Sequence, residues 1–372
     1  MLARIAHQLY WLGRNLARAE FTARAVEAVF QAELQGAADA LPGVSFGSGG
    51  LLAMLDGVAA EQPVGGERLG RLTQDARRPG SMLASVERAR EGARTVRDVI
   101  SAEMWEAINT TALTLRRDEP SGWGARSQPY VVSQYVKQRT ALIWGIADRS
   151  MLRDEAKSFL DAGGMLEVAD MVLRMLRVAL PAPAPPGPAA PADGSALILL
   201  QAVGGFHAYL RAGTSPPNAH PVARFLLFER AYPDSVAACV DSLQEVLSAA
   251  DAGPRNSKPV LRLSRLAADL DFQRRALPDG AELTGICTGT QQELARIDRD
   301  VAERYFAGAA SAGGAATVTG AARRARMAAA AQHAAGGRTT GRARALAPAA
   351  PHSPDGPTAA PGRAPTTAAG RR

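Results

Sequence analysis

The chain has 372 residues, of which 47% are hydrophobic and 21% charged, a composition typical of globular proteins with a substantial core. Its two cysteines exclude a disulfide-dense secreted scaffold and a four-cysteine zinc site, and no apolar stretch of about 18 residues predicts a membrane-spanning helix. The net charge of +7 is uneven, because residues 307–372 hold nine arginines and one acid, which leaves residues 1–306 close to neutral.

Helical periodicity begins near the N terminus. Apolar residues at positions 5, 9, 12, 16, 19, 23, 26 and 30 alternate in steps of four and three, which predicts a first helix with one core-facing side. A second stripe lies about 200° around this helix and contains His7, Trp11, Arg14, Arg18 and Phe21. Either a second layer of helices covers this aromatic and basic stripe, or it is a binding face.

The remaining pattern is also helical. We predict helices over residues 81–117, 129–150, 153–180, 195–212, 220–229, 233–250, 257–276 and 281–305. Residues 36–50 are typical of a Gly-rich loop, and residues 181–195 of an extended Pro- and Ala-rich linker. Residues 307–372 lack aromatic residues and are predicted to be disordered.

These patterns predict an all-α fold, a multi-helix bundle with an internal helical repeat and a disordered C-terminal tail. The segment 181–195 either separates two domains or, as we prefer, is an insertion within one domain that spans residues 1–306. Neither flank of this segment changes in composition, which favours the insertion.

The internal repeat has an offset of 150 residues. Residues 9–24 (LYWLGRNLARAEFTAR) and 159–174 (FLDAGGMLEVADMVLR) share a glycine at 13 and 163, and leucine, alanine and arginine at three further matched positions. Glu20 and Asp170 form a matched acidic position. Coincidence between two amphipathic helices rich in alanine and leucine is the alternative explanation.

Five segments resemble the bacterial alpha-E family, helical proteins whose hallmark is a Glu-Arg pair. They are YWLGRNLARAEFTAR at 10–24, SVERAREGARTVRDVISAEMWEAIN at 85–109, SMLRDEAKSFLDAGGMLEVADMVLRML at 150–176, RFLLFERAYPDSVAACVDSLQEVL at 224–247 and LARIDRDVAERYF at 294–306. The resemblance covers about residues 1–306. This chain departs from the hallmark, because Ala17 precedes Arg18 in the first copy and Val168 follows Glu167 in the second. Each copy retains half of the pair, so a bridge from Arg18 to Glu167 would join the two copies.

The charged helical side chains are the candidate site. They form a buried polar network if they pair with one another, because pairing makes such charges tolerable in a core. The alternatives are a solvated face with pairs four residues apart, and an anion site that binds a carboxylate or phosphate through arginines. The predicted polar cluster comprises Arg14, Arg18, Glu20, Arg94, Arg97, Asp98, Glu103, Glu167 and Asp170.

Other chemistry has no support in the sequence. The nucleotide motif GxxxxGK[ST] and the di-iron motif Glu-x-x-His are absent, so we predict no catalytic residue, metal or cofactor. Cys239 and Cys287 lie within apolar helical patterns, where a thiol behaves as a small hydrophobic group.

The resemblance also implies a functional context. Alpha-E proteins are typically encoded near an atypical ATP-grasp carboxylate–amine ligase and a transglutaminase-like peptidase. The family therefore implies a non-enzymatic helical accessory or scaffold protein of the bacterial cytoplasm, acting with these partners in peptide formation or tagging. The alternative is an amide-bond-handling enzyme subunit that uses the Arg/Glu cluster. Arginines at 4, 14 and 18 interrupt any signal peptide, and we expect no membrane partner and no nucleic-acid binding except through the basic tail.

Overall fold

The computed structural model describes residues 1–35, 47, 50–51, 54–55, 65–117, 128–179, 194–213, 216–251, 257–276 and 283–307. These residues form helices and connecting turns, without a strand, which confirms the all-α prediction. The helices are α1 (Ala3–Leu34), α2 (Gly65–Thr73), α3 (Met82–Thr95), α4 (Ala102–Arg117), α5 (Gln128–Ser150), α6 (Glu155–Ala179), α7 (Gly194–Ala202), α8 (Phe206–Arg211), α9 (Ala219–Phe228), α10 (Val236–Ala250), α11 (Lys258–Ala276) and α12 (Leu283–Tyr305). None of them is long and apolar enough to cross a membrane.

The predicted single helix over 81–117 is two helices. Helix α3 is followed by Val96, whose φ of −121° and ψ of 26° leave the helical region. Helix α4 then begins where the Ser101 hydroxyl accepts a hydrogen bond from the Met104 backbone N–H at 3.1 Å. Val96 and Ile100 are nevertheless buried, so the apolar pattern continues across a break that serine capping creates.

A second break divides the predicted helix over 195–212. Gly204 has a φ of 72°, a left-handed conformation that favours glycine, and it separates α7 from α8. Helix α2 was not predicted, and α7 begins at Gly194, inside the predicted linker. Residues 181–193, most of the predicted Gly-rich loop and residues 308–372 lie outside the described residues.

The two repeat helices, α1 and α6, pack against each other in the same direction. A Cβ atom on Gly13 would lie 2.0 Å from the carbonyl oxygen of Leu160, and one on Gly163 would lie 1.9 Å from that of Tyr10. In the repeat, residue 160 corresponds to residue 10 and residue 163 to residue 13. The two contacts therefore join the same pair of positions with the two helices exchanged, as two-fold symmetry requires. The repeat is therefore a structural one.

The two-fold relation extends to two sets of four helices. Helix α1 packs with α3 and α5, and α6 packs in the same way with α10 and α12. Helix α4 bridges α3 and α5, and α11 bridges α10 and α12. Ser81 and Ser235 cap α3 and α10 alike, each hydroxyl accepting a backbone N–H three residues later at 3.1 Å. The bundle core therefore lies around the crossing of α1 and α6.

The aromatic and basic stripe of α1 is covered by other helices. Arg14 and Phe21 are buried, His7 is half-buried, and Trp11 remains 37% exposed. Phe306, just after α12, packs its ring 5.3 Å from the His7 ring. A second layer of helices, rather than solvent, therefore faces most of this stripe.

Candidate functional site

Glu167 of α6 is the centre of a buried ion cluster. Arg14 and Arg18 lie four residues apart on α1 and therefore share one face of the helix. Arg14 donates from Nε to Glu167 Oε2 at 2.8 Å, and Arg18 donates from Nε to Oε1 at 2.5 Å. The Glu167 side chain is 1% exposed, and each of its oxygens accepts a charge-assisted hydrogen bond.

A third helix completes the cluster. Asp298 of α12 accepts a hydrogen bond from Arg14 Nη1 at 2.9 Å and another from the Tyr10 hydroxyl at 2.7 Å. The Arg14 guanidinium also lies 4.9 Å from the Trp11 ring, within cation–π range. The cluster therefore joins α1, α6 and α12 through neighbouring polar contacts.

The buried Arg14 and Glu167 side chains of the cluster stay ionised, because they shift each other's pKa values. Burial by itself would raise the pKa of Glu167, but Arg14 and Arg18 outweigh it and lower that pKa to about 2. Burial would lower the pKa of Arg14, but Glu167, Tyr10 and Asp298 raise it overall. Glu167 and Arg14 therefore remain ionised at neutral pH.

The symmetry-related position is apolar. Gly164 corresponds to Arg14 at the offset of 150, and the Trp144 ring of α5 fills that space, with Cη2 2.9 Å from the position of a Cβ on Gly164. Helix α5 is the counterpart of α12, so the contact between Gly164 and Trp144 replaces the contact between Arg14 and Asp298. The polar centre is therefore present on one side of the repeat axis only.

Glu20 and Asp170 form matched ion pairs beside the centre. Glu20 accepts from Arg24 at 2.6 Å, and Asp170 accepts from Arg174 at 2.8 Å, in both cases four residues later. Asp170 also accepts from Gln291 of α12 at 2.9 Å. These two predicted site residues flank the cluster without bonding to Glu167.

Four of the predicted residues lie away from the cluster, which corrects the predicted network. Arg94 is 56% exposed and pairs with Glu91 at 2.6 Å rather than with Asp98. Arg97 lies over the Trp105 ring at 4.8 Å, and Asp98 and Glu103 are exposed. Helix α3 buries its apolar side against α1, so Arg94 on the opposite side of the helix faces solvent.

Tyr10 and Asp298 are site residues that the sequence reasoning missed. Asp298 lies in the segment 294–306 that carries part of the resemblance, but nothing along the chain shows that α12 returns to α1. Tyr10 precedes Arg14 by four residues on the same helix face, which was the available signal.

Metal and thiol chemistry have little basis in the described residues. They contain no group of three or more histidine, cysteine, aspartate or glutamate side chains that could hold a metal ion. Cys239 and Cys287 are free and buried, and burial raises the pKa of the Cys287 thiol to about 12. A thiol with such a pKa is a weak nucleophile at neutral pH.

The fold and the site together define a class of all-α proteins in which two related helical sets enclose an arginine–glutamate centre. Residues 1–306 match the Alpha-E family, described as a predicted alpha-helical domain with a conserved ER motif. The chain belongs to this family. No curated protein and no solved structure matches it. Arg18 and Glu167, the two residues that the resemblance assigns to separate copies of the motif, bond to each other.

Proposed function

We propose that this Alpha-E protein is a non-enzymatic helical accessory or scaffold protein, and that its arginine–glutamate centre holds α1 against α6. The observation that supports the proposal is that Glu167 has no carboxylate oxygen left for a reactant. Arginines bond to both of its oxygens, and its side chain is 1% exposed. A general acid or base needs a pKa near the working pH and access to its reactant. A carboxyl with a pKa of about 2 in such a site fits a structural role better.

The proposed partners come from the family resemblance. The context of alpha-E proteins favours an ATP-grasp carboxylate–amine ligase and a transglutaminase-like peptidase, in the bacterial cytoplasm, as the proteins with which this scaffold acts. Such partners would supply ATP use and bond formation, while this chain would supply a rigid helical surface.

Co-purification from the native host tests this proposal. We expect the tagged full-length chain to recover a ligase-type protein, with the peptidase in the same fraction, as identified by mass spectrometry. Recovery of the tagged chain with no ligase-type partner, under conditions that retain other complexes, would contradict it.

A cleft beside the centre favours a second candidate, an amide-bond-handling enzyme subunit. This cleft of about 510 Å³ opens between α6 and α12 and is lined by Arg14, Asp170, Arg174, Gln291 and Asp298 among others. Its charged and amide side chains are of the types that bind polar peptide groups.

Glu167→Gln separates the two candidates. For a scaffold we expect the substitution to lower the free energy of unfolding by about 3 kcal/mol, because two arginines lose their buried counter-charge. For an enzyme we expect the same destabilisation with a loss of activity, and we expect Arg174→Gln, a change in the cleft that leaves Glu167 paired, to lose activity while the unfolding midpoint is retained. Glu91→Gln is the matched control, since Glu91 also pairs with an arginine but is 61% exposed. We expect it to change stability by less than about 1 kcal/mol.

A further inference from the structure

Arg88 of α3 is a half-buried cation whose bonded partners are all neutral. Its Nε donates to Asn15 Oδ1 at 3.0 Å, and its Nη2 donates to the Pro79 carbonyl oxygen at 2.7 Å and to Ser85 Oγ at 3.2 Å. No carboxylate among the described residues bonds to it. A desolvated guanidinium without an anion is costly, so this site favours the arrival of a negative charge.

The charged groups facing Arg88 leave it short of counter-charge. Arg18 repels it, while Glu167 and Glu87 attract it from positions where they bond to other arginines. Burial and then Arg18 lower the pKa of Arg88 to about 10. The other arginines of the described chain with a resolved shift all have a raised pKa, namely Arg14, Arg24, Arg94, Arg262 and Arg304.

Arg88 lines an open depression of about 330 Å³ together with Arg90 and Arg116. Arg90 Nε donates to the neutral side-chain oxygen of Asn109 at 2.7 Å. The two acids at this depression are already paired, Glu87 with Arg116 at 2.5 Å and Glu91 with Arg94 at 2.6 Å. The depression is therefore a basic site whose own carboxylates are engaged.

The free donors of this site come from three side chains. Each Nε atom of Arg88, Arg90 and Arg116 is taken by a protein acceptor, which leaves Nη1 of Arg88 and the terminal nitrogens of Arg90 and Arg116 without a partner among the described residues. A planar carboxylate prefers the paired edge of a single guanidinium, whereas a tetrahedral oxyanion accepts single donors from several. We propose that the depression between α3 and α4 binds a phosphoryl group, as free phosphate or as a phosphate monoester, through Arg88, Arg90 and Arg116. This site does not use Glu167 and is independent of the proposed function.

Titration of the full-length protein tests the proposal. Inorganic phosphate, phosphoserine and acetate are added separately at constant ionic strength, and binding is followed by calorimetry and by thermal unfolding. We expect saturable phosphate binding, and we expect Arg88→Gln to weaken it about tenfold or more, because a charge-assisted hydrogen bond and the central cation are lost. Tighter binding of phosphoserine would identify a monoester as the ligand, and tighter binding of inorganic phosphate would identify the free ion.

Matched variants distinguish a built site from general screening. Arg153→Gln removes an exposed arginine outside the depression, and we expect it to keep the affinity of the original chain. Arg90→Gln provides a second test if Arg88→Gln does not fold. Absence of saturable phosphate binding, an equal effect of phosphate on the original chain and on both depression variants, or acetate binding as tight as phosphate would overturn the proposal.

Discussion

Glu167 keeps its charge inside the bundle because two arginines on one face of α1 each donate to a different oxygen. Removal of one partner of such a buried group costs more than the pairing contributes, since it leaves an uncompensated charge. At the repeat offset, Ala17 corresponds to Glu167 and Val168 corresponds to Arg18. A second pair of charges at these positions, with its own desolvation cost, is therefore avoided. Two carboxyl groups with shifted pKa values, Glu167 and Asp234, should make the stability of the fold depend on pH.

The first concerns acid stability. The pKa of Glu167 is about 2 in the folded protein and near 4.5 when the group is solvated, so its contribution is complete above about pH 4.5 and is lost as the pH falls towards 2. We expect a loss of about 3 kcal/mol across that window. Urea unfolding between pH 2 and 5 should show this extra loss in the original chain but not in Glu167→Gln. Parallel acid profiles for the two proteins would contradict it.

The second concerns Asp234, whose carboxyl faces Arg24 and Glu20. Burial raises the pKa of Asp234 to about 6 and Glu20 adds to the shift, against the opposing effect of Arg24. The folded protein therefore binds this proton more tightly than the unfolded chain, and stability is lost as the pH rises from about 4 through 6. We expect Asp234→Asn to raise the free energy of unfolding by about 1–2 kcal/mol at pH 7, with the gain vanishing below about pH 4. Asp98→Asn, at an exposed position, is the control; a gain at pH 7 shared by both variants would refute the assignment.

At the scale of elements, close approach of α1 and α6 makes the ion cluster possible. Glycines at matched positions bring the two backbones together, and Arg14, next to Gly13, and Arg18, four residues further along α1, then reach Glu167. The cost of glycine within a helix is about 1 kcal/mol each, which the packing of the two central helices offsets. Helix packing and ion pairing are therefore coupled at this crossing.

Substitution of the glycines tests that coupling. We expect Gly13→Ala and Gly163→Ala each to destabilise the fold by about 3 kcal/mol or more, because the added Cβ would lie about 2 Å from a backbone oxygen that cannot move alone. Gly145→Ala is the control, since no atom lies within 4 Å of its added Cβ. There we expect a gain of about 0.5–1 kcal/mol from helix propensity. Chemical denaturation measures all three, and mild effects at positions 13 and 163 would show that the crossing is looser than described.

The serine caps test the repeat at the same scale. Ser81 and Ser235 are both buried and begin the matched helices α3 and α10 with the same hydrogen bond. We expect Ser81→Ala and Ser235→Ala to cost about 1 kcal/mol each, and the losses to add in the double variant because the caps do not share a partner. Thermal unfolding gives the values; a silent substitution at either position would mean that the two caps are not equivalent.

At the scale of the whole molecule, two helical sets share one core but differ in chemistry. The side of the crossing that faces α12 is polar, with Arg14 and Asp298, whereas the side that faces α5 is filled by Trp144 over Gly164. Among the described residues, a cleft lies beside the ion cluster on the α12 side, while Trp144 occupies the matched position on the α5 side. This asymmetry arises only in the assembled bundle, because Arg14 and Asp298 come from different helical sets, as do Trp144 and Gly164.

Residues 308–372, the basic C-terminal segment, lie outside the family match and outside the described helices. The described helices end at Tyr305, and the family match ends at residue 306. We therefore expect a chain that ends at Ala307 to keep its unfolding temperature and helical circular dichroism. Any salt-sensitive binding of nucleic acid by the full-length chain should disappear with the nine arginines removed. A clear fall in unfolding temperature, or binding that survives truncation, would contradict this expectation.

Helical class, the core-facing side of α1 and the repeat were readable along the chain, because periodicity and matches at a fixed offset depend on neighbours in sequence. The halves of the Glu-Arg motif at Arg18 and Glu167 were implied by the resemblance to the alpha-E family. The bond between Arg18 and Glu167 could also be anticipated, because each residue lacked its usual neighbour. Helix breaks at 96–101 and at Gly204 were missed because the apolar spacing continues through them.

Tertiary structure alone decided which charges are paired and which are solvated. Arg14 and Arg94 look alike in sequence, yet one is buried between Glu167 and Asp298 and the other is exposed beside Glu91. An amphipathic helix has the same period whether its polar face meets water or another helix, so local pattern cannot distinguish the two. Burial and the distance to a partner decide whether a charged side chain is paired or solvated, because the free energy of an ion pair depends on its desolvation. Burial and partner distance are set only when distant segments pack together.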